Sequence, residues 1–201
     1  MHKLIFALSL FIHYSKGIAQ QTTFDSTKVH QVCLSKNEVT LFELITAYRK
    51  ENGLPYIPLS TQLSYVAQTH AKDLFVNKPN QHGCNMHSWS NNGPWAACCY
   101  SPDHKNPSCM WNKPKELTNY TDNGFEIAHN TWHSDDANYE VRAYEALDGW
   151  KHSTGHNNVI LNKSIWKDEQ WNAIGVGIYK GYAIVWFGRE KDAEGSPMLC
   201  K

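Results

Sequence analysis

Between Ser35 and Gly53, apolar side chains recur at Leu41, Leu44, Ile45 and Tyr48, the spacing that gathers one face of an α-helix. Ser35 and Glu38 stand ahead of the run in capping-box spacing. Gly53 follows it, where a residue without Cβ accepts a left-handed cap. A second helix is predicted from Ser60, with Leu63, Val66, Ala67, His70, Ala71 and Leu74 on one stripe. His70 shares that apolar stripe and therefore reads as a core histidine rather than a ligand. A third helix is predicted over 134–153, with Ser134 as N-cap, acids in its first turn, Val141, Tyr144, Leu147 and Trp150 facing inward, and a stop at Gly155.

The strand signals are of a different kind. The stretch GFEIA at 124–128 reads as a short strand, and WNAIGVGIYKGYAIVWFG at 171–188 reads as a hairpin turning at Lys180 and Gly181. Its two arms are apolar on both faces, so they belong in the middle of a sheet covered on both sides. Helices followed by strands, without regular alternation, then imply an α+β fold: a three-layer α-β-α sandwich. Between 80 and 123 the periodicity disappears into glycine, proline, asparagine, aromatics and four cysteines. A loop of that length needs staples or a function.

The first residues change the picture of where the chain works. MHKLIFALSLFIHYSKGIAQ has an early lysine, a short apolar run and small residues before a cut, the layout of a secretory signal peptide over 1–19. The mature chain is then expected to start at Gln20 or Gln21, with an N-terminal extension over 20–36, one domain over 37–190 carrying the irregular insertion 80–123, and a tail over 191–201. No transmembrane span follows the signal, and the expected localisation is secreted and extracellular. In an oxidising compartment the six cysteines are expected as disulfides. Adjacent cysteines rarely bond to each other, so the expected pairs are Cys84 with Cys98, Cys99 with Cys109, and Cys33 with Cys200. The rival for the four central cysteines is a zinc cluster, which lacks the usual paired spacing. Lysine plus arginine, 19, balance aspartate plus glutamate, 19, so no basic field points to nucleic acid.

Three segments carry ionisable candidates: CNMHSWS with His87, GFEIA with Glu126, and WKHSTGH with His152 and His156. His104 beside Asp103 also fits a capped turn, and Trp89, Trp95, Tyr100, Trp111 and Tyr120 form either a stacking platform or the core of the long loop. The order of ITAYRKENGLP, LSYVAQTHAKDL, His-Ser, Gly-x-Glu, W-x-x-S-x-G-H and I-G-V-G resembles the CAP superfamily of cysteine-rich secretory proteins, antigen 5 and pathogenesis-related proteins, in its microbial form. The resemblance covers about residues 38–188.

That resemblance implies an α-β-α sandwich with a shallow cleft lined by two histidines and two acids. By position His87 and His156 match the histidines, and Glu126 is the nearest match to one acid, although it falls one place late. Ser153 stands where animal and plant forms often carry the second acid. His152 is then a solvated last-turn residue. The family is associated with sterol and lipid binding, defence, toxicity and immune interaction, and in scattered members with proteolysis.

Two imidazoles and a carboxylate match the ligand set of a catalytic zinc site. The expectation is a binding or interaction module with a cleft at His87, Glu126, His156 and Ser153 that takes zinc or another divalent cation through His87, His156 and Glu126. Its ligand would be a lipid or sterol, a glycan or a protein. The alternative is a metal-dependent hydrolase using the same residues. Against that, a separate carboxylate for a general base is missing from the motif.

Overall fold

The computed structural model describes residues 26–131 and 138–201. Its first elements are α1 (Ser26–His30), β1 (Cys33–Leu34) and α2 (Lys36–Glu51). The capping box at α2 forms as the spacing predicts: Glu38 N–H donates to Ser35 Oγ at 3.2 Å and Ser35 N–H to the Glu38 carboxylate at 2.8 Å. At its far end Gly53 takes φ +73°, the region a Cβ disfavours. The next helix is α3 (Thr61–Asn77), with Ser60 capping Leu63 N–H. All six residues of its predicted stripe are fully buried.

The long irregular region holds two short helices that no periodicity announced, α4 (Ser108–Trp111) and α5 (Lys113–Leu117). After it come β2 (Gly124–Asn130), α6 (Ala143–His152) and α7 (Thr154–Ile160), then β3 (Ala173–Tyr179), β4 (Tyr182–Gly188) and β5 (Met198–Leu199). The third predicted helix begins later than expected. Ser134 lies outside the described residues, 138–142 are not helical, and α6 opens at Ala143, where Glu145 accepts the Arg142 N–H at 3.0 Å. Tyr144 faces outward, 54% exposed, while Ala143, Ala146, Leu147 and Trp150 pack inward.

The central sheet runs β2-β4-β3 and is antiparallel throughout, with the hairpin turning at Lys180 and Gly181. Alternation divides its side chains between two cores. Phe125, Ile127, Val185 and Phe187 face α2 and α6, whereas Ala128, Ile184 and Trp186 face α3. The result is the three-layer sandwich. On the α3 side, β3 presents Gly175 and Gly177. A Cβ on Gly175 would lie 2.1 Å from the Leu63 backbone, so the G-x-G of the I-G-V-G stretch lets helix and strand touch.

The termini are part of the body. β1 pairs with β5, Cys33 bonds Cys200, and Asp192 accepts from Ser60 Oγ at 2.6 Å and Gln62 N–H at 2.8 Å at the start of α3. The Cys33–Cys200 expectation holds. The two central pairs are exchanged relative to expectation: the disulfides are Cys84–Cys99 and Cys98–Cys109. Cys98 exchanges two backbone hydrogen bonds with Trp89, and extended backbone sends successive side chains to opposite sides. Cys98 therefore points into the core, 3% exposed, and meets Cys109; Cys99 faces out and meets Cys84.

Candidate functional site

The cleft opens along β2, an edge strand of the central sheet, between the irregular region and α7. Its volume is about 680 Å³, and its polar end gathers His87, Glu126, His156, Tyr100 and His104. His87 sits in a turn made locally: its N–H donates to Asn85 Oδ1 at 2.9 Å, and Asn85 N–H donates to the Tyr100 carbonyl at 2.8 Å. The Cys84–Cys99 bond holds those two strands of chain together. His156 comes from the first turn of α7. That helix is held from below by Arg49, whose guanidinium donates to the Ile160 carbonyl at 2.5 Å and to Asn162 Oδ1 at 2.7 Å.

Glu126 lies one place late in its motif and faces α3, where it is fully buried. Its Oε1 lies 2.8 Å from His87 Nδ1. Its Oε2 lies 2.5 Å from His70 Nδ1, and the other nitrogen of His70 lies 2.9 Å from the Ser88 carbonyl. The His70 ring stacks on Trp89 with centroids 4.2 Å apart. Burial alone would raise the Glu126 carboxyl, but His70 and then His87 outweigh it and hold the group below its ordinary value.

His70 is a core histidine, as its stripe implies, and it is also the partner of the site acid. The sequence reading missed that second role. The one available signal was a histidine on an otherwise apolar stripe, since such a side chain must find polar partners when buried.

His156 and His87 face each other with ring centroids 6.3 Å apart. Burial, and after it the neighbouring His87 and His129, depress His156 to about 4, so its imidazole is neutral over the physiological range. His152 stays outside the cleft, its Nδ1 2.8 Å from the Asp148 carbonyl and its side chain 77% exposed. The two histidines are separated as expected, but the helix breaks at Ser153 and not at Gly155. Ser153 is extended (φ −100°, ψ 109°), ends α6 and accepts Asn157 N–H at 2.8 Å to open α7. Gly155 falls inside α7 and lines the cleft, whereas Ser153 does not.

The remaining wall is apolar and aromatic: Met110, Trp111, Phe125, Val159, Ile165 and Trp166. At the end away from the histidines, Arg189 donates twice to Glu169, both at 2.6 Å, and lies 4.4 Å over the Phe125 ring. The candidate aromatic platform divides. Trp89, Tyr100 and Tyr120 are buried in the α3-side core, and of the five only Tyr100 and Trp111 line the cleft. His104 also reaches it, with Nδ1 3.0 Å from Tyr100 Oη, while Asp103 serves its own turn by accepting from Ser101 Oγ at 2.6 Å. A second hollow of about 470 Å³ lies beside Cys33–Cys200 and α3; it contains none of the predicted cleft residues.

A family model described as the cysteine-rich secretory protein (CAP) family matches residues 42–185. The chain belongs to the CAP family. No curated protein matches it. Among solved structures, an extracellular protein with an SCP domain from Bacillus anthracis aligns at 23% identity with a TM-score of 0.51, over 77% of this chain and 40% of that one. This CAP chain thus spans well under half of the Bacillus protein. An outer surface protein of Borrelia burgdorferi aligns at 15% identity and a TM-score of 0.50, over 78% of this chain and 94% of that one. At these identities the two structures support the fold. The residues of the cleft rest on the geometry above.

Among the described residues, no three of His, Cys, Asp and Glu are grouped to hold a metal ion. What this CAP domain offers a cation is two imidazoles, His87 and His156, with a carboxylate behind the first of them. That is the arrangement in which an acid orients a ligating histidine without touching the metal. No described helix is long and apolar enough to cross a membrane.

Proposed function

We propose that this CAP domain is a secreted, extracellular binding module, and that its cleft takes a divalent cation on His87 and His156 at one end of a groove whose middle wall is apolar. The observation that carries this reading is the state of the acids in the cleft. Both oxygens of Glu126 face imidazoles, and Glu169 is held in the two-pronged grip of Arg189. A hydrolase working on metal-bound water through a carboxylate base needs that carboxylate free to accept the proton. With both acids engaged and Ser153 outside the cleft lining, holding a ligand is the chemistry these side chains support. His156, neutral at physiological pH, keeps a lone pair for a cation. The apolar wall, with Trp111, Phe125 and Trp166, favours a lipid, a sterol or the apolar face of a glycan over a strongly charged partner.

Calorimetric zinc titration of the wild type, His87→Ala and His156→Ala tests the reading. The expected result is binding to the wild type that falls at least about tenfold in each variant. Unchanged binding in both would remove the cleft as the cation site. Metal-loaded protein incubated with casein and with peptidoglycan fragments should show no turnover; turnover abolished by His156→Ala would establish the hydrolase instead.

A further inference from the structure

We propose that His70, buried in α3 and out of reach of the cleft, is a positioning residue that fixes which ring nitrogen of His87 carries the hydrogen, acting through Glu126.

The Ser88 carbonyl can only accept, so His70 Nε2, 2.9 Å away, must carry a hydrogen. One hydrogen then lies between His70 Nδ1 and Glu126 Oε2, which are 2.5 Å apart. Whichever atom holds it, Oε2 is occupied and Oε1 is left as an acceptor. His87 Nδ1, 2.8 Å from Oε1, must therefore be the N–H. The hydrogen-free nitrogen of His87 is consequently Nε2, and only a hydrogen-free nitrogen can bind a cation or accept a hydrogen bond from a ligand.

The arrangement is directional because one end is tied to the backbone. His70 has no rotational choice: it is fully buried, stacked on Trp89, and bonded at both nitrogens. Reversing the ring of His87 would require Glu126 to offer a hydrogen from Oε1. The hydrogen it shares with His70 lies on the other oxygen. His70 thus transmits the orientation of the Ser88 carbonyl through two side chains to the floor of the cleft.

The consequence for cation binding rests on the binding reading above, but the assignment itself does not. It is tested without metal, by nitrogen NMR of histidine-labelled protein, with the His87 signal identified by its loss in His87→Ala. In the wild type, His87 should appear as the Nδ1–H form. Glu126→Gln is the decisive variant. His70, bound to donate from Nε2, can offer only a lone pair at Nδ1. The new amide must therefore turn its NH2 toward His70 and its carbonyl toward His87, and His87 should remain Nδ1–H. Adding His70→Leu frees the amide to face either way, and the His87 signal should become a mixture of the two forms. Zinc affinity in Glu126→Gln should drop about 10- to 100-fold, the usual effect of altering the group directly behind a ligating histidine. An Nε2–H His87 in Glu126→Gln, or a pure Nδ1–H His87 in the folded double variant, would overturn the proposal. If the His87 assignments hold and zinc binds nowhere in the cleft, the positioning role stands and the cation reading falls.

Discussion

Two glutamates line the same cleft, each held by cations or imidazoles at close range, and the fold treats them in opposite ways. Glu126 is fully buried and shared between His70 and His87. Glu169 is 22% exposed in its side chain and meets Arg189, itself 39% exposed, at the rim. Both carboxyls are held below their ordinary value. For Glu169 the Arg189 hydrogen bonds are the largest influence and outweigh the cost of burial; for Glu126 burial is the largest influence and the two imidazoles together overcome it. The lesson is that contact distance says little about worth. A buried group whose partner is removed keeps its desolvation cost, whereas a rim group is rescued by water.

The strongest way to break this contrast is Glu126→Ala. It leaves the buried His70 Nδ1 without its partner and is expected to cost about 3–5 kcal/mol, read from urea unfolding. A loss below about 1 kcal/mol would place Glu126 with ordinary rim acids.

The next effect is in pH. Unfolded His156 takes up a proton near 6.5, while the folded group resists until about 4. Between those values the unfolded state binds more protons, so stability falls as pH drops through that window. Glu126 acts lower down. Its contribution is present above the ordinary carboxyl value of 4.5 and is lost as pH falls through its depressed folded value. His156→Ala should flatten the upper window and leave the lower one, measured as urea midpoints at a series of pH values. Equal slopes in the two proteins above pH 4.5 would show that His156 is not kept neutral by the fold. The smallest effect is expected for Glu169→Ala, roughly 0–1 kcal/mol and shrinking with added salt. A salt-insensitive loss comparable with that of Glu126→Ala would erase the distinction between floor and rim.

The elements that frame this cleft were legible wherever the signal was local. The capping box at Ser35 and Glu38, the α3 stripe and the turn at Lys180 and Gly181 all formed where the residues indicated. Legibility weakened where the decision lay outside the segment. The α6 pattern continued upstream of the helix actually formed, and Tyr144 carried the right spacing but points to solvent. The two cleft histidines, His87 and His156, were identified by resemblance to the family motif, not by periodicity. The break between His152 and His156 was anticipated two residues too late, because the chain turns at Ser153 and Gly155 lies inside α7.

By itself the sequence determined α2 and α3, the hairpin, the sandwich that must cover a two-faced apolar sheet, and the membership of the cysteine set in disulfides. These follow from periods, caps and turns that act over a few residues. Only the tertiary structure decided that Cys98 turns inward to Cys109 and Cys99 outward to Cys84. It alone decided that a stripe histidine closes on a strand glutamate 56 residues away, and that the same glutamate reaches His87 across 39 residues. The physical reason is that such contacts depend on how closely two layers approach. Here Gly175 and Gly177 let α3 lie against the sheet, and the distance between layers is a property of the packed whole.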